Sequence, residues 1–94
     1  MFLIQMTYKK SLEIVDQYLA EHRAFLEQGY QHDHFIVSGP REPRTGGIIL
    51  SQLKDQAVLE QLLKQDPFFI HDIAEYETIP FNPVKYHKNF ASFV

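Results

Sequence analysis

The sequence has 94 residues, of which 45% are hydrophobic and 22% charged, with a net charge of −3. Those figures fit one small folded domain and exclude a disordered chain. Acidic and basic residues are interspersed, so no basic stripe marks a nucleic-acid partner. No stretch is long and apolar enough to span a membrane, and the lack of cysteine excludes disulfides, iron–sulfur clusters and thiol chemistry.

The first element read along the chain is a strand over Phe2–Tyr8, short, apolar and partly β-branched. Phe2, Ile4 and Met6 fall on one face, and Leu3, Gln5 and Thr7 on the other. The apolar start is too short for a secretory signal and has no small-residue cleavage site after it, so a cytoplasmic setting is expected. Ser11 caps the next helix, and Glu13 complements its positive end. Leu12, Val15, Leu19 and Leu26 form the helix's apolar stripe, with Gly29 as its stop. The step missing from that stripe is position 22, and it holds a histidine.

A second strand is expected over His34–Gly39 and a third over Gly46–Leu53, joined by the polar loop PREPRT into an antiparallel hairpin. Asp55 caps a second helix with the stripe Val58, Leu59, Leu62 and Leu63. The next step on that face is Asp66. A fourth strand covers Ile73–Pro80, with Glu75 and Glu77 alternating against Ala74, Tyr76 and Thr78. The order is β-α-β-β-α-β: an α+β, ferredoxin-like fold with two helices on one face of a four-stranded antiparallel sheet. Residues 1–83 make up the domain, and 84–94 form a tail that packs on the core or on a partner subunit. The open face, read as Leu3, Ile36 and Ile49 mixed with Gln5, Ser38 and Ser51, is too apolar for water. A homodimer packed sheet to sheet, with higher assembly left open, is therefore expected.

Two polar residues on two sheet-facing stripes point to chemistry. In this fold the helices lie side by side, so His22 and Asp66 can meet. An imidazole held by a carboxylate has a fixed tautomer and a more basic distal nitrogen, the build of a general acid or base. Two plainer readings stand beside this one: His22 as a core histidine bonded to a backbone carbonyl, and Asp66 as the N-cap of a turn beginning at Pro67. Ser38 and the backbone near Gly39 are candidates to bind a substrate oxygen. Arg41 and Arg44 could hold an anionic group, but for both the reading preferred from sequence is a solvated residue of the hairpin loop. Tyr76 is a candidate cavity residue that also suits core packing. His32-Asp33-His34 and His71-Asp72 have the spacing of partial metal sites but lack a third ligand, so no metal is assigned.

His22, Ser38-Gly39-Pro40, Gly46-Gly47, Asp66-Pro67-Phe68 and Ile79-Pro80-Phe81 occur in an order and spacing that resembles the YciI-like family of the dimeric α/β-barrel superfamily. The resemblance covers about residues 1 to 83. It implies a ferredoxin-like monomer, a sheet-to-sheet dimer, and a site on His22 and Asp66. The wider superfamily includes muconolactone isomerases, a dehydrochlorinase of chlorinated hydroxyquinol and small monooxygenases, so the family implies a site without fixing a reaction. The expectation is a small enzyme needing no cofactor, of lyase, isomerase or dehydrohalogenase type, using the pair on a small and enolisable or aromatic metabolite. The alternative is a dimeric domain that binds a small molecule without catalysis.

Overall fold

The computed structural model describes residues 1–94. In chain order the elements are β1 (Phe2–Tyr8), α1 (Leu12–Gln17), α2 (Leu19–Gln31), β2 (Phe35–Pro40), β3 (Gly46–Ser51), α3 (Gln56–Leu63), α4 (Pro67–Ile70), β4 (Ala74–Pro80) and a 3-10 helix over Lys88–Phe93. The strands form one antiparallel sheet in the order β2-β3-β1-β4, which is the ferredoxin-like arrangement. Local signals start the helices where expected. Ser11 Oγ accepts from Ile14 N–H, and Asp55 Oδ1 accepts from Ala57 and Val58 N–H. No helix is long and apolar enough to cross a membrane.

Cross-strand pairing assigns the faces. Phe2, Ile4 and Met6 of β1 lie opposite Ser51, Ile49 and Gly47 of β3, and all six are buried beneath the helices. Val15, Leu59, Leu63 and Phe68 close the core from the helix side. Ile49 and Ser51 therefore belong to the covered face, not the open one. Ser38 joins them, because it pairs with Ile49. The expectation failed for two physical reasons. Gly46-Gly47 carry no side chain to set the alternation of β3, and a bulge between Phe35 and Val37 shifts the phase of β2. The open face instead carries Leu3, Gln5, Val37, Ile48, Leu50, Glu77 and Ile79. Ser51 is satisfied in the core, its Oγ donating to His34 O (2.7 Å) and accepting from Leu53 N–H (3.2 Å).

The first helical stretch breaks at Tyr18 into α1 and α2, and Leu12 lies exposed, so the buried stripe starts at Val15. In the second helix Val58 is exposed as well, while Leu59 and Leu63 carry the burial. Gly29 is not the stop. It lies buried inside α2, where an added Cβ would fall 2.1 Å from the Phe35 ring. The terminator is Asp33, at φ 58°, with His34 N–H bonded to Gly29 O (2.8 Å) and Asp33 N–H to Tyr30 O (3.1 Å). That is a Schellman motif with aspartate in the left-handed position. α4 ends the same way: Asp72 has φ 55°, and Ile73 and Asp72 N–H bond to Phe68 and Phe69 O. Both His-Asp dipeptides are thus helix ends, and no group of three or more His, Cys, Asp or Glu side chains is placed to hold a metal ion.

Candidate active site

Asp66 is the N-cap of α4, and Pro67 fills the first helical position, where its missing N–H costs nothing. Asp66 is fully buried, so its charge must be answered inside the protein. Three donors answer it. Oδ1 accepts from Phe68 N–H at 3.0 Å and from His22 Nδ1 at 2.8 Å, and Oδ2 accepts from the Tyr76 hydroxyl at 2.5 Å. An ionised carboxylate only accepts, so Nδ1 carries the proton and Nε2 holds the lone pair of the neutral ring. The His22 ring lies flat on Phe68, with centroids 4.0 Å apart and planes 3° apart. Burial, and then the Asp66 carboxylate beside it, push the Tyr76 phenol well above its ordinary value, so Tyr76 stays a donor.

His22 borders a cavity of about 660 Å³ between α2 and the corner of the sheet where β2 meets β3. Sequence makes the room. On the covered face of that corner stand Ser38, Pro40 and Gly47, none of which fills the space beneath the helix. The roof is one face of α2: Leu19, His22, Arg23, Leu26, Glu27 and Tyr30 recur at steps of three and four. With Nδ1 committed to Asp66, Nε2 is the nitrogen available to a ligand here.

The other sequence candidates divide. Ser38 lines the cavity, and its Oγ lies 2.5 Å from the Tyr30 hydroxyl. Gly39 also lines it, with no atom within 4 Å of where a Cβ would stand. Arg41 stands outside the lining, its Nη1 3.5 Å from Thr7 Oγ1. Arg44 is in the lining, with Nη2 2.5 Å from Asp16 Oδ1 and its guanidinium 6.0 Å from the centre of the Tyr8 ring. Tyr76 sits behind Asp66, away from the cavity. Tyr30 was not singled out from sequence. The signal for it is its position eight residues after His22, on the same helical face.

A profile of the YCII-related domain matches residues 1–82. No curated protein matches the chain significantly. Among solved structures, the chain is similar to 5-chloro-2-hydroxyhydroquinone dehydrochlorinase (TftG) from Burkholderia phenoliruptrix AC1100, in complex with 2,5-dihydroxybenzoquinone. The TM-score is 0.75 at 20% identity, covering 86% of this chain and 92% of that one. That likeness shows the fold.

Proposed function

The chain belongs to the YCII-related domain family, and from that premise we propose a small enzyme in which His22 moves a proton on a substrate held in the cavity. The observation that carries the reading is the 2.8 Å contact of His22 Nδ1 with a buried carboxylate, on a ring that borders the cavity. Nε2 takes a proton from carbon or oxygen, and Asp66 steadies the imidazolium that forms. The hydroxyl hydrogen that the Tyr30–Ser38 hydrogen bond leaves free is donated to a substrate oxygen as charge builds on it. The fold neighbour's name adds elimination to the reactions to be tried. In such a step the C–H bond breaks to Nε2, its electron pair forms a C=C bond, and the leaving group departs with its own bonding pair.

The test is hydrogen exchange into heavy water and halide release, followed by NMR over small enolisable and halogenated hydroxy-aromatic compounds. Turnover by the wild type that is lost in His22→Gln is expected. Ligands that bind but come back unchanged and unexchanged would make this a binding domain.

The same proposal includes a homodimer through the open sheet face, supported by the apolar row Ile79, Leu3 and Leu50 and by Val37, which is 55% exposed. The tail supports it too: Val84 and Tyr86 stand 78% and 50% exposed on the isolated chain, and a partner subunit would cover them.

A further inference from the structure

The two ends of the cavity differ in chemistry. Ser38 lies level with Ile49 and Ile4, and Tyr8 is four residues further along β1. That separates the Ser38 and Tyr8 levels by about 13 Å along the strands, with Ser38 also two strands, about 10 Å, to the side of β1. His22 lies between Asp16 and Tyr30 in the chain, about two turns of α2 before Tyr30, and borders the same cavity. At the Ser38 end two hydroxyls share one hydrogen bond. One hydrogen is spent within the pair, so one remains for a ligand. Such an end suits a phenol or carbonyl oxygen and supplies no charge.

At the Tyr8 end stands the Asp16–Arg44 ion pair, with side chains 51% and 33% exposed. Exposed pairs of this kind are weak, so a competing anion displaces the carboxylate readily. The exchange favours an incoming anion over a cation. Asp16 sits at the exposed end of the short α1 and rehydrates freely, whereas Arg44 is steadied by the Tyr8 ring and keeps its remaining N–H donors for a planar acceptor. Between the ends, Met6, Leu19 and Leu26 give an apolar wall suited to a ring.

Resting on the acid–base reading above, we propose that the cavity selects a ring-bearing anion. Its neutral oxygen sits on Tyr30 and Ser38, and its carboxylate-like group sits on Arg44 after Arg44 leaves Asp16. His22 then faces the ring between the two anchors.

The test is calorimetric titration of the full chain with two probes that differ only in the anion, 4-hydroxybenzoate and phenol. A wild-type preference for 4-hydroxybenzoate of about tenfold or more is expected, the size of one charge-assisted contact. Arg44→Gln abolishes the preference. Asp16→Asn, which frees Arg44, tightens 4-hydroxybenzoate and leaves phenol unchanged. Ser38→Ala weakens both probes. Equal affinity in the wild type, a preference that survives Arg44→Gln, or no binding of either probe overturns the proposal. Binding is read without turnover, so the two failures separate. A wild type that exchanges protons on other compounds yet shows no preference loses only the selection. A His22→Gln protein that keeps the preference and loses exchange supports both.

Discussion

His22 Nδ1 and the Phe68 N–H share one acceptor, Asp66 Oδ1, at 2.8 and 3.0 Å. Capping the turn and holding the imidazole are therefore one arrangement, not competing uses of the carboxylate. Three consecutive residues build it. Asp66 supplies the acceptor, Pro67 fixes the first helical φ, and Phe68 supplies both a donor and the surface on which His22 stacks. Tyr76 reaches the second oxygen from β4, so the carboxylate is tied to a helix on one side and to the sheet on the other.

Asp66→Asn and Asp66→Ala should then part company. The amide oxygen of Asn still accepts from Phe68 and His22, and the Tyr76 oxygen can accept from the amide NH₂. The fold holds while the negative charge is lost. Activity is expected to fall by roughly 10²–10⁴, the usual worth of acid–base assistance, with the urea midpoint nearly unchanged. Asp66→Ala leaves three buried donors without an acceptor and should cost about 3–5 kcal/mol in urea denaturation. Equal stability of the two variants would mean that the carboxylate is not bonded as described.

Tyr76 gives a pH signature. Its phenol is held above the ordinary value in the folded chain, while the unfolded chain releases that proton near the usual value of about 10. The contribution is fully present below pH ~10 and is lost as pH rises beyond it, by roughly 1.4 kcal/mol per pH unit for one proton. Unfolding free energies measured from pH 9 to 11.5 should show this extra downward slope in the wild type. Tyr76→Phe should remove it, and identical slopes in the two proteins would contradict the burial assigned here.

Much of this was legible in the sequence, and the gaps have physical causes. The strands and helices followed from alternation, capping residues and two apolar stripes. His22 and Asp66 stood out because each replaces an apolar residue on such a stripe. Tyr30 was hidden because Gly29 reads as a helix stop, and a stop there takes Tyr30 off the helical face. Arg41 and Arg44 are indistinguishable within PREPRT; only the hairpin's path puts Arg44 against Asp16. The face of β3 could not be read through two glycines and the unbroken run Ile48-Ile49-Leu50.

Gly29 converts that misreading into a measurement. A stop glycine replaced by alanine suffers from its φ, whereas an interior helical glycine normally gains about 1 kcal/mol from alanine. Here the new Cβ would fall 2.1 Å from the Phe35 ring, on a buried strand residue that cannot easily yield. Overpacking of that kind costs about 1–3 kcal/mol, so Gly29→Ala should be destabilising. Asp33→Gly, at the actual left-handed position, should stabilise by about 0.5–1 kcal/mol. Thermal melts of both variants check the pair of signs, and a stabilising Gly29→Ala would show that Phe35 repacks.

The open face carries the last prediction. Leu3 is flanked across the sheet by Leu50 on β3 and Ile79 on β4, and Gln5 in the same way by Ile48 and Glu77. An apolar row at the centre with polar positions beside it is what a face-to-face partner needs. In a two-fold interface each position meets the symmetry-related surface, so one substitution acts twice. Leu3→Glu places two carboxylates in the middle of a dry contact, where neither finds a donor. It should therefore dissociate the dimer while leaving the monomer folded, because the side chain points away from the helix-covered core. Light scattering should give about twice 11.1 kDa for the wild type and 11.1 kDa for Leu3→Glu. A wild type of 11.1 kDa at every concentration would mean that something other than a second copy covers this face.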